Sequence, residues 1–292
     1  MELRRPLAGL VLVAVAYGVG LAVVYGLTVQ TLPGRRLGDL SLRGAVFTDT
    51  IMAGTVDAVL DIVSAASLLG AMAVVATVAL VRLARLRGLA AVGIMVTANA
   101  TTWLLKDVVL SRPDFGLDEI TPATLNSLPS GHSTAVFSAV AALAFVLPAR
   151  VRPPVMLVGA GAATLTGLAT MVAGWHRAGD SVAAFMVVGF WTTVAAVVVV
   201  VLGARPGYHP SAVGATVLRW PAVFAVGAVV LGSALALALD AAPLLRDSIA
   251  GTGVAMLVAI LLVSGAASGA AVGILGSLLL MDSADPEPGA AL

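Results

Sequence analysis

The stretch PSGHSTAVFSAVAALAFVLPAR, residues 129–150, decides how the chain is read. A polar motif, Pro129-Ser130-Gly131-His132, opens an apolar run that continues to Leu147 and is closed by Pro148 and Arg150. A run of that kind predicts a membrane-crossing helix with a chemically equipped start. Reading outward, the preceding apolar run ends at Lys106 and Arg112-Pro113, and His176-Arg177-Ala178-Gly179-Asp180 sits between the next two runs. Nearly all the rest of the chain is apolar, so residues 106–180 are where chemistry could be done.

Composition places this cluster in a membrane. Of 292 residues, 60% are hydrophobic and 11% charged, and the mean hydropathy is +1.07, outside the range of soluble domains. The expected fold is all-α, a polytopic membrane helix bundle. A net charge of +1 with no basic run argues against nucleic acid as a partner. The absence of cysteine excludes disulfides, thiolate chemistry and Cys-based metal sites. Lys106 is the only lysine, which suggests a need for a compact ammonium in a chain that otherwise uses arginine. Two of the three histidines lie in the cluster; the third, His209, reads as a solvated loop residue.

Eight spans are expected, at about 7–31, 52–81, 88–110, 129–147, 154–174, 180–203, 220–239 and 249–281. Residues 32–50 read as a polar loop, and Asp282 to Leu292 as a disordered acidic tail. The organisation is a core at 1–203, an additional transmembrane region at 204–281 and the tail at 282–292. Asn99, Thr102 and Lys106 share a helix face that should point inward. The helix carrying them stops before Pro113, because a residue preceding proline is pushed out of helical geometry. With the N-terminus inside, nine basic residues fall in inner loops and seven outside; leaving out Lys106, Arg112 and Arg177 makes that nine against four. All three motifs then meet on the extracytoplasmic face of a cytoplasmic membrane.

A helix start with Ser-Gly, flanked by fixed cations, favours phosphate. Two imidazoles add nucleophilic and general-acid catalysis, and Asp180, four residues after His176, can fix its tautomer. No metal and no cofactor is required. Taken singly, each feature has a plainer reading. Lys106 can snorkel to the interface, Ser130-Gly131 can be an ordinary helix start, and His176 with Asp180 can be a structural pair. Asp57 and Asp61 read as structural, and Trp103, Trp175 and Trp220 as interfacial anchors.

In order and spacing, Lys106 with Arg112-Pro113, then Pro129-Ser130-Gly131-His132, then His176 and Asp180 resemble the three-part signature of the type 2 phosphatidic acid phosphatase (PAP2) superfamily. The resemblance covers about residues 7–203. It implies a six-span core, His176 as a nucleophile that forms a phosphohistidine, Asp180 as its partner and His132 as the acid on the leaving group. Lys106, Arg112, Ser130 and Gly131 would hold the phosphoryl oxygens. The chain departs from the pattern twice: five rather than six residues separate Lys106 from Arg112, and Ala169-Thr170 stands where the family has Ser-Arg. Arg177 is the candidate replacement for that arginine. The implied substrate is a lipid phosphate such as polyprenyl pyrophosphate, phosphatidate or phosphatidylglycerophosphate. Transfer to an alcohol, or a non-catalytic transporter or scaffold that keeps an anion site, are the alternatives; the sequence leaves the oligomeric state open.

Overall fold

The computed structural model describes residues 4–47, 49–62, 65–117, 126–203 and 215–282. Among them every regular element is helical. In chain order these are α1 (Arg4–Thr28), α2 (Leu32–Phe47), α3 (Asp49–Ile62), α4 (Ala65–Val81), α5 (Arg85–Leu104), α6 (Gly131–Val146), α7 (Arg152–Val172), α8 (Ala178–Gly203), α9 (Ala215–Asp240), the single turn α10 (Pro243–Arg246) and α11 (Ile249–Asp282). A π-helical turn, Leu105–Val109, prolongs α5.

Six of these helices are long and apolar enough to cross a membrane, α5 being counted together with its π turn. A seventh crossing is available from Val56–Ile62 and Ala66–Val81, which lie at 52° to one another. The remaining expected span, the fourth at 129–147, is α6, an apolar helix of 16 residues and so about 24 Å long, shorter than a hydrocarbon core of ~30 Å. It compensates by burial, packing against α5, α7 and α8. The bundle is thus the polytopic all-α architecture the composition predicts.

Residues 32–50 are the clearest departure from expectation. Instead of a polar loop, α2 runs from Leu32 to Phe47 and packs against α11 and α7. Arg35, Asp39 and Leu42 fall three and four residues apart, so all three project from one face, and all three are buried. Charge density suggested a solvated loop, but the charges here satisfy one another and their neighbours inside the protein. Asp282 is a second correction. It does not belong to a tail but ends α11, where it pairs with Arg87 at 2.9 Å and with Arg152. Those ion pairs clamp the ends of α5, α7 and α11 at the end of the bundle far from the motifs. The rest of the expected tail, residues 283–292, and His209 lie outside the described residues.

Close packing holds the core together. The hydroxyl of Tyr17 on α1 donates to the Ala270 carbonyl on α11 at 2.9 Å. Its ring occupies space left by Gly189 on α8 and Gly273 on α11, where a Cβ would overlap it. Trp191 on α8 reaches Thr101 on α5 at 2.9 Å. These contacts tie α8 to α1 and α11 on one side and to α5 on the other.

Candidate active site

The site is assembled where α5 ends and α6 and α8 begin. At the end of α5 the chain widens into the π turn that bears Lys106, closed by a bond from the Leu110 N–H to the Leu105 carbonyl at 2.8 Å. Such turns are uncommon and leave carbonyls in need of partners. Asn126 supplies them, its side-chain amide donating to Lys106 O at 2.9 Å and to Leu110 O at 3.1 Å. The expected polar stripe does face inward: Thr102 meets Thr134 of α6 at 2.9 Å, and Asn99 donates to Ser138 at 3.2 Å.

Ser130 is the N-cap of α6, its hydroxyl oxygen accepting the Ser133 N–H at 3.3 Å. Its own N–H donates to the Asp180 carbonyl at 2.9 Å, and Ser133 bonds Ser181 at 3.0 Å. The beginnings of α6 and α8 are therefore locked together. Ser130 is completely buried by these bonds, whereas Gly131 and His132 remain partly exposed.

After α7, Gly174 at φ +76° turns the chain in a conformation that favours glycine. The N–H groups of Trp175 and His176 then both donate to Thr170 O, at 2.9 and 3.2 Å. His176 is left 5% exposed, with Asp180 2% exposed beside it. One oxygen of Asp180, Oδ2, collects three contacts: the Ser127 hydroxyl at 2.6 Å, the Arg177 N–H at 2.9 Å and Nδ1 of His176 at 3.2 Å. A carboxylate is only an acceptor, so Nδ1 carries the hydrogen and Nε2 keeps its lone pair. The His132 ring stands 6.4 Å from the His176 ring and 5.4 Å from that of Trp175, centroid to centroid. His132, His176 and Asp180 thus lie together, at the end of the bundle where α5 carries Lys106.

The arginines are arranged differently from expectation. Arg177 turns to Asp39 of α2, with Nε at 2.7 Å and Nη2 at 2.6 Å from Oδ1. Arg112 approaches the same oxygen at 3.9 Å. Arg35, 1% exposed, donates to Pro113 O at 2.8 Å and lies over the Phe115 ring. Burial, then the charges of Arg177 and Arg35, push the Arg112 guanidinium down to about 10, which leaves it cationic at neutral pH. Arg177 does therefore stand beside Arg112, although a carboxylate holds both. Thr170, where the resemblance would place arginine, is wholly buried and bonds its own helix at Gly167 O, 2.8 Å away.

Asp39, Arg35, Asn126 and Ser127 are the site-building residues the sequence reading did not single out. For the first two the i, i+4 pairing within 32–47 was a usable signal; Asn126 and Ser127 had none beyond preceding Pro129. Asp57, Asp61, Trp103 and Trp220 are exposed and away from the site, while Trp175 flanks His132. Among the described residues no three His, Asp or Glu side chains converge as metal ligands.

Residues 87–204, from the first turn of α5 just past the end of α8, match the family model of the PAP2 superfamily. No curated protein and no solved structure matches the chain. The matched segment contains every motif residue, and α5 to α8 bring those motifs to one end of the bundle. Over residues 87–204, then, the chain is similar to the PAP2 superfamily.

Proposed function

We propose that this protein hydrolyses a phosphomonoester or pyrophosphate on a membrane lipid through a phosphohistidine on His176, without a metal ion. The match of residues 87–204 to the superfamily model and six membrane-length apolar helices support a phosphatase-type function in a membrane protein. The observation that carries the finer reading is the threefold hold on Asp180 Oδ2, which fixes His176 with Nε2 unprotonated beside the His132 ring.

In the first step Nε2 of His176 attacks phosphorus and the bond from phosphorus to the lipid oxygen breaks, while protonated His132 gives that oxygen its proton. In the second, water attacks the phosphohistidine, His132 takes a proton from the water, the P–N bond breaks and phosphate leaves. Lys106, Arg112 and the adjoining Arg177 neutralise the phosphoryl oxygens, the Gly131 N–H donates to them, and Ser130 acts from behind as the cap that orients the start of α6. Polyprenyl pyrophosphate, phosphatidate and phosphatidylglycerophosphate are the candidate substrates. The basic residues favour a cytoplasmic membrane with the site facing outside.

The buried Thr170 and the carboxylate across both motif arginines favour one alternative, a non-catalytic anion site. Phosphate release from a panel of lipid phosphates, with chelator present, separates the two. Release by the wild type that is abolished in His176→Ala supports hydrolysis; phosphate binding without release from any lipid overturns it, and a product that depends on an added alcohol indicates phosphotransfer.

A further inference from the structure

Beside the site lies a cavity of about 510 Å³ between α1, α2, α8, α9 and α11, within the ~300–1,000 Å³ typical of small-molecule sites. Most of its wall comes from helices outside residues 87–204. The lining is hydrocarbon, with Leu27 from α1, Leu37 and Leu40 from α2, Leu237 from α9 and Leu262 from α11. The wall runs from Val229 to Asp240 on α9 and from Ala255 to Ala266 on α11, about 16 Å along each axis at the helical rise. That is about half of a ~30 Å hydrocarbon core, the depth of one leaflet.

The end of the cavity nearest the motifs is charged. Arg36, Arg112, Arg177 and Arg246 line it with Asp180 and Asp240, while Asp39 holds Arg177 and Arg112 from behind and Arg246 pairs with Asp240 and Asp247. An apolar shaft one leaflet deep, with arginines lining one end, complements an amphiphile whose anionic head can bond guanidinium groups.

We propose that this cavity houses the hydrocarbon chain of a lipid phosphate, with its phosphate carried on Arg112 and Arg177, and that α9 and α11 serve as the chain's far wall. The inference rests on the reading of the protein as a lipid phosphatase and assigns a part of the substrate to helices the family match does not include. His132 and His176 are not among the cavity's walls, so the chain lies beside the imidazoles. Arg112, common to the cavity and the phosphoryl site, links the two.

The test fills the shaft from its partly exposed wall positions with Ala236→Phe and Ala266→Phe, with Ser233→Leu as the gentler change. Val226→Phe, on the outward face of α9, is the control. Two readouts are taken on full-length protein with unchanged melting: binding of a fluorescent long-chain phosphatidate, and kcat/KM for long-chain phosphatidate against its short-chain, water-soluble counterpart. The expected result is a fall of about tenfold in long-chain binding and kcat/KM, equivalent to losing two buried methylenes, with the short-chain value and the control unchanged. Unchanged long-chain binding, or equal loss on both substrates, overturns the proposal. If the wild type releases no phosphate yet filling the shaft still abolishes lipid binding, the cavity assignment stands and the phosphatase reading falls.

Discussion

Replacing Asp39 with asparagine removes one negative charge and almost no volume, and it should be among the most damaging single changes in the protein. Asp39 Oδ1 lies 2.6 Å from Nη2 of Arg177 and 3.9 Å from Arg112, and Arg35 lies on the same buried face of α2. A unit charge pair at about 4 Å is worth about 4 kcal/mol at an effective dielectric of about 20. Both arginine side chains are nearly inaccessible to solvent, at 6% and 5% exposed, so water cannot take over the lost role. The amide oxygen of asparagine can still accept one bond from Arg177, but it leaves buried guanidinium charge uncompensated. Breaking a buried pair in this way costs about 3–5 kcal/mol; with one bond retained, the lower figure applies. Thermal unfolding in detergent should show the midpoint falling by roughly 10 °C, against no shift for Asp57→Asn, whose side chain is exposed. Should Asp39→Asn melt within a degree or two of the wild type, the arginines are compensated by other groups and the central place given to α2 is wrong.

Asp180→Asn should fold but turn over about 10³–10⁴-fold more slowly, because an amide can hold His176 in the wrong tautomer; the loss should appear in kcat with little change in KM, and a KM effect alone would count against the assignment. Thr102→Val removes the hydroxyl that meets Thr134 at 2.9 Å in a buried contact, while Thr134 keeps its bond to Ser130 O at 2.8 Å, and should cost about 0.5–1.5 kcal/mol in unfolding free energy. Gly189→Val drives a side chain into the Tyr17 ring; chemical denaturation should report a loss of about 1–3 kcal/mol, and Tyr17→Ala in the same chain should recover part of it.

The bundle was legible because hydrophobic run length is a strong signal: each expected span corresponds to a helix except 52–81, which is divided between α3 and α4, and the motif histidines meet although 44 positions of sequence separate His132 from His176. What escaped the sequence were features set by pairing between distant segments. Arg35 and Asp39 look solvated in a stretch with Arg36 and Arg43 nearby, and only their packing beneath Arg112, Pro113 and Arg177 turns that stretch into a buried helix. Ser127 was invisible for the same reason, since its hydroxyl matters only because Asp180 stands 2.6 Å away. Asp282 looked like the first residue of an acidic tail until Arg87 and Arg152 were found to converge on it.

The position of Thr170 then acquires a physical explanation. An arginine there would point from a completely buried site on α7 toward a region where Arg35, Arg112 and Arg177 already share the charge of Asp39. A fourth guanidinium would add like-charge repulsion and a desolvation cost where Asp39, Asp114 and Asp180 already act on three arginines. Threonine removes the charge and satisfies its hydroxyl at Gly167 O within its own helix. Arg177, one residue after His176 in the turn that leads into α8, brings a cation to the same neighbourhood from the opposite side, provided α2 supplies Asp39 to hold it. The departure from the family pattern on α7 and the buried ion pair on α2 are therefore coupled: reinstating arginine at position 170 should be tolerated only when Arg177 is neutralised. The melting temperatures of Thr170→Arg with and without Arg177→Gln decide this, since equal destabilisation in both backgrounds would show that the two positions do not share a charge site.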